Sequence, residues 1–130
     1  MANINRDYIV EINCDFDRQY WKKFQLVPRT TPMVFFKDDR NSGNFFVLVK
    51  GFKAELKLTM GLLYPLELKR FEIYEPQLRG TQDDTYIFEV KLDESVLANP
   101  GTYKYEFYIE NEDGAKIACD YDKLKVKDCL

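Results

Sequence analysis

The chain has 130 residues, with 19 Lys and Arg against 22 Asp and Glu, a formal net charge of −3, three cysteines and no histidine. That length makes one domain able to bury a core without a disulfide or metal staple. The scattered charges offer no basic stripe for nucleic acid, and no apolar run approaches the ~20 residues that span a bilayer. The segment 1–7 lacks a secretory pattern, so the chain reads as made and kept in the cytosol.

The absent histidine removes the usual near-neutral general base, the commonest metal ligand and the usual partner of a catalytic Ser or Cys. The chain therefore reads as a non-enzyme, with only a carboxylate mechanism left open. Cys14, Cys119 and Cys129 are odd in number, widely spaced and without a C-x-x-C pair. They read as reduced thiols, Cys119 in the core and Cys129 exposed, and no metal or cofactor is expected.

In chain order, residues 9–14 read as a strand, 17–24 as a short helix candidate and 34–37 as a strand. Phe45-Phe46-Val47-Leu48-Val49 is apolar on both faces, which predicts a central strand covered by the core on one side and by a loop or partner on the other. With Phe45, Val47 and Val49 inward, Phe46 and Leu48 become the candidate contact residues; the alternative is that residues 62–66 or the N-terminal segment cover them. Residues 54–60 alternate with period two. Leu66 and Leu68 then share a parity that Phe71 and Ile73 do not, the signature of a bulge or a strand break.

Residues 86–92 alternate again, and 93–98 suggest one helical turn capped by Asp93. Residues 102–110 form the clearest strand, Tyr103, Tyr105, Phe107 and Ile109 alternating with polar neighbours. Ile117, Cys119 and Tyr121 are out of phase with Leu124 and Val126. Turn residues stand at Asn41-Ser42-Gly43, Arg79-Gly80, Asn99-Pro100-Gly101 and Glu112-Asp113-Gly114, the last a hairpin signal. The pattern predicts an all-β fold: one antiparallel β-sandwich over residues 1–130, of about eight strands and at most short helical turns, with 1–31 as an N-terminal arm or covering segment. Leu97-Ala-Asn-Pro-Gly-Thr-Tyr103 fits a tyrosine corner and equally a plain Pro-Gly turn before a core tyrosine.

Acid pairs at Asp15/Asp17, Asp38/Asp39, Asp83/Asp84 and Asp120/Asp122 read as solvated turns and edge charges, and no acidic loop has calcium-binding spacing. Tyr20, Trp21, Tyr74 and Tyr108 lie outside the clearest core stripes. Such amphipathic rings suit a protein interface or a sugar platform; for Tyr20 and Trp21, packing over the end of the sandwich is the competing role.

Three stretches carry a family likeness: Phe35-Phe-Lys-Asp-Asp-Arg-Asn-Ser-Gly-Asn-Phe45, Leu92-Asp-Glu-Ser-Val-Leu-Ala-Asn-Pro-Gly-Thr-Tyr-Lys-Tyr-Glu-Phe107, and Ile109-Glu-Asn-Glu-Asp-Gly-Ala-Lys-Ile117 followed by Leu124-Lys-Val126. From residue 32 to 127 their order resembles the N-terminal domain of phage baseplate upper proteins, from tailed phages of Gram-positive hosts. Leu66-Glu-Leu-Lys69 departs from that family's pattern by lacking a turn glycine.

The resemblance implies an immunoglobulin-like sandwich that serves as a structural or adaptor module. Such a module attaches to other tail or baseplate proteins, forms homo-oligomers, and sits in the virion tail after assembly in the bacterial cytoplasm. A carbohydrate-binding sandwich for cell-surface adhesion, using Tyr20, Trp21, Tyr74 or Tyr108, is the alternative.

Overall fold

Period-two alternation becomes strand almost throughout the computed structural model, which describes residues 6–17, 20–39, 43–53, 56–110, 114 and 116–128. In chain order these are β1 (Ile9–Asp17), β2 (Tyr20–Leu26), β3 (Met33–Phe36), β4 (Asn44–Lys50), β5 (Lys57–Leu63), β6 (Phe71–Tyr74), β7 (Gln77–Gln82) and β8 (Thr85–Lys91). A helical turn, α1 (Glu94–Leu97), then leads to β9 (Gly101–Glu110), β10 (Lys116–Ala118) and β11 (Asp122–Lys127). Among the described residues, no helix is long and apolar enough to cross a membrane.

The first sheet runs β2-β1-β4-β8-β7 and the second β3-β11-β9-β5-β6, with β10 beside the far end of β9. Their inner faces meet as a sandwich. Val10 and Ile12 of β1 and Phe45, Val47 and Val49 of β4 face Tyr103, Tyr105, Phe107 and Ile109 of β9, all fully buried. Phe45 bridges the layers, its ring 6.3 Å from Phe35 and 6.3 Å from Tyr105. Each inward aromatic adds a large apolar area and the ring contacts add modest further attraction.

Both sheets are mixed, where antiparallel pairing throughout was expected. β1 lies parallel to β4, and β3 lies parallel to β11. The reason is connectivity: the chain enters the first sheet, crosses to the second at β3 and returns at β4 beside β1, so these neighbours are joined by crossovers and not by hairpins. Residues 17 and 20–24, expected within a short helix, are strand. Phe24 and Leu26 are buried at a spacing of two, and β2 pairs with β1 in a hairpin carrying a bulge between Asp15 and Phe16. The first 31 residues thus supply two strands that widen a sheet, with β1 beside β4.

Both predicted phase slips are breaks. After β5, Leu66–Leu68 form a single 3-10 turn that ends on Lys69 in the left-handed region, φ 46°, before β6 begins. Between β10 and β11 the ladder stops at residues 119–121, where the Cys119 N–H still reaches the Phe107 carbonyl at 3.0 Å. The tyrosine corner is present: the Tyr103 hydroxyl lies 3.1 Å from the Val96 carbonyl and also reaches that of Asn99. Arg29 ties the entrance of β3 to its surroundings, its backbone N–H donating to Asp122 Oδ2 at 3.3 Å and its guanidinium to the carbonyls of Asp7 and Thr31.

Candidate interaction site

Six of the eight large apolar side chains exposed among the described residues come from residues 63–78: Leu63, Leu66, Leu68, Phe71, Ile73 and Leu78. β6 is the centre of this strip. Its register sets Tyr74 opposite Met60 and Glu72 opposite Leu62, both core positions of β5, so Glu72 and Tyr74 point inward while Phe71 and Ile73 point out. The alternation is the reverse of a half-buried strand: Ile73 is 66% exposed and Phe71 48%. Leu63 and Phe71, paired across β5 and β6 with Ile73 on the same face, give the outer side of the second sheet's edge an apolar character, and contiguous exposed apolar patches mark interaction surfaces.

Gly61 makes room for this arrangement. A methyl group there would stand 2.8 Å from Phe71 Cζ and 3.1 Å from the Tyr108 hydroxyl, so the absent side chain lets both rings lie over β5. Beside them a shallow groove of about 280 Å³ is lined by Leu63, Phe71, Lys104, Glu106 and Tyr121. The Lys104 ammonium sits 5.0 Å over the Tyr121 ring. Burial, then the neighbouring Glu106 carboxylate, pushes the Tyr108 hydroxyl up to about 12.

The inward side of β6 carries a polar cluster. The Asp93 N–H donates to the Tyr74 hydroxyl at 3.3 Å, Tyr64 shares a hydrogen bond with Ser95 at 2.9 Å, and Arg70 pairs with Glu72 while stacking 5.0 Å over the Tyr64 ring. The carboxyls of Glu72 and Asp93 share a hydrogen bond that lowers Glu72, helped by Arg70, and raises Asp93, helped by burial. Asp93 does occupy the N-cap of α1, but its side chain makes no capping bond and turns to Glu72 instead. Divergent carboxyls are a feature of acid–base pairs. This pair ties β6 to the start of α1, with Tyr74 closing the link.

The residues singled out from sequence fall in separate places. Phe46 and Leu48 are half-buried on the outer face of the first sheet, with Ile9 and Glu11 beside them on β1 and Glu89 and Ile87 beside them on β8. Tyr74 and Tyr108 lie on opposite faces of the second sheet, Tyr74 half-buried within the polar cluster and Tyr108 against Gly61. Tyr20 and Trp21 belong to β2 opposite Asp17 and Phe16, and their side chains lie outside the described residues. The exposed strip itself was not predicted, although the parity slip after Leu68 points to it. Among the described residues, no group of three or more His, Cys, Asp or Glu is placed to hold a metal ion. No protein-family model matches the chain, and no curated protein matches its sequence.

Proposed function

We propose that the chain is a non-enzymatic structural module that attaches to other proteins, and that its setting is the one its resemblance implies: the tail baseplate of a phage, within the virion. The observation that carries the attachment reading is the exposed apolar strip of residues 63–78, centred on a strand whose outward positions are Phe and Ile. A rigid two-layer scaffold behind that strip suits docking, because little side-chain or backbone order has to be created on binding. The tyrosine corner at Tyr103 agrees with the immunoglobulin-like part of the resemblance.

Co-expression with proteins encoded beside it tests the reading. A complex that co-purifies from the wild type and is lost on Phe71→Glu is the expected result. Failure of every neighbouring tail protein to bind, or equal binding by Phe71→Glu, refutes it.

A further inference from the structure

Each sheet ends in two edge strands, and an unpaired edge offers free N–H and C=O groups to another chain unless something blunts it. β7 is blunted: it is polar apart from Leu78, and a bulge between Leu78 and Gly80 breaks its register. β3 is covered, since the Tyr8 hydroxyl donates to the Val34 carbonyl at 2.7 Å. β6 carries neither device. It is unbulged, it is the last strand of its sheet, and both its outward side chains are apolar.

The ladder fixes which groups β6 presents. The Tyr64 N–H donates to the Arg70 carbonyl at 2.9 Å, so the residues bonded to β5 are Arg70, Glu72 and Tyr74, at alternate positions. The N–H and C=O of Phe71 and Ile73 therefore point away from the sheet. Charge is also arranged for self-recognition. Lys69 precedes β6 and Glu75, which meets Lys57 of β5 at 2.9 Å in an exposed ion pair, follows it, so an antiparallel second copy brings the basic start of one strand near the acidic end of the other.

We infer that β6 pairs with β6 of a second copy of this chain, antiparallel about a two-fold axis, to continue the second sheet across both molecules. Parity admits only registers in which Phe71 and Ile73 meet outward-facing residues. Centring on Glu72 sets that carboxylate opposite its own copy, an unfavourable like-charge pair. Centring on Ile73 sets Ile73 against Ile73, Phe71 against Glu75 and Glu72 against Tyr74, so the outer face gains an apolar Ile73 pair at the two-fold axis, with a Phe71 on either side of it. The contact is short, so self-association is weak and concentration-dependent. The inference rests on reading the strip as an interaction surface and names one occupant for it.

Sedimentation velocity of the full chain at roughly 10 to 500 µM tests the pairing at the concentrations where weak interfaces form. A shift from monomer to dimer is expected, weakened about tenfold or more by Ile73→Lys, which places a charge on the edge. Ile73→Pro is the sharper variant: it deletes an outward N–H that β5 does not use, so the fold keeps its ladder while the dimer loses both bonds of its central Ile73 pair. In the wild type, exchange of the Phe71 and Ile73 amides slows as concentration rises. A chain that stays monomeric throughout, a dimer indifferent to both variants, or amide exchange independent of concentration overturns the pairing. A monomer that still binds a tail protein through Phe71 refutes self-pairing while leaving the attachment reading intact.

Discussion

Tyr103 and Tyr105 are two residues apart on the inward face of β9, both fully buried, yet the same substitution is expected to act on them with opposite sign. The Tyr103 hydroxyl reaches the Val96 and Asn99 carbonyls and holds α1 onto the strand. Tyr103→Phe deletes a buried neutral hydrogen bond, while the Val96 carbonyl keeps the Asn99 N–H at 3.1 Å, a loss of about 1–2 kcal/mol. The Tyr105 hydroxyl is buried with no hydrogen-bond partner among the described residues. Tyr105→Phe removes an unsatisfied polar group and is expected to be neutral, or stabilising by up to about 1 kcal/mol. Both variants keep the ring, so cavity terms cancel in the comparison. The gap of about 2 kcal/mol corresponds to roughly 1 M between their urea midpoints, read by circular dichroism and tryptophan fluorescence. If Tyr105→Phe loses as much as Tyr103→Phe, the hydrogen-bond assignment for this face of the core is wrong.

Gly51 has φ 78°, and a methyl group on it would lie 2.4 Å from the Cys14 carbonyl oxygen; Gly51→Ala is expected to lose about 2–3 kcal/mol, and a midpoint within error of wild type would contradict the turn geometry. Asp93, raised by its bond with Glu72, holds its proton longer in the folded state than in the unfolded one. The Asp93 contribution to stability is therefore lost as pH rises from the ordinary Asp value through the raised one, while the lowered Glu72 contributes in the opposite sense as it ionises. Asp93→Asn donates the same hydrogen bond at every pH, so it is expected to gain about 0.3–1 kcal/mol at pH 7 after solvent screening and to flatten that loss, and lower stability at pH 7 would count against the shared proton. Burial pushes the Cys119 thiol up to about 11 and the Cys14 thiol up to about 12. In a Cys129→Ser background both are expected to react slowly with an alkylating reagent at pH 8 and rapidly once urea unfolds the chain; fast native labelling of either would refute their protection.

The parts of the fold legible in the sequence are those where side-chain parity alone decides the structure. Tyr103, Tyr105, Phe107 and Ile109 face the core as their alternation indicates, because a period-two pattern has only one way to bury its apolar set, whereas Phe45 to Val49, apolar on both faces, shows its buried parity only in the structure. The Pro-Gly approach to Tyr103 suits a tyrosine corner and a plain turn equally, and only the hydroxyl's reach to the Val96 and Asn99 carbonyls decides for the corner. What could not be read was pairing between strands distant in sequence: nothing local to residues 9–17 says that they will lie parallel to β4, since that depends on where the chain crosses between layers. Residues 17–24 misled for a related reason, their mixed apolar spacing suiting a short helix until Leu26 and Phe24 are seen opposite Ile12 and Cys14. β6 was masked by the assumption that apolar residues point inward. Phe71 and Ile73 do the opposite, and only the β5 register, with Gly61 leaving space for an overlying ring, reveals which face they occupy.

The pairing of β3 with β11 has a consequence for the order in which the molecule assembles. The hairpins can close early from nearby residues, but the bond between Arg29 and Asp122 joins positions 93 residues apart, and β3 gains its neighbouring strand only through that same closure. Contacts of such long span make a large conformational search before they return any stabilisation, so they govern folding speed more than final stability. During synthesis, β3 stays an orphan without its neighbouring strand until β11, about 90 residues further along the chain, emerges. The interval before that closure is when the nascent chain is most exposed to wrong pairing, and a slow-translating or truncated message would lengthen it.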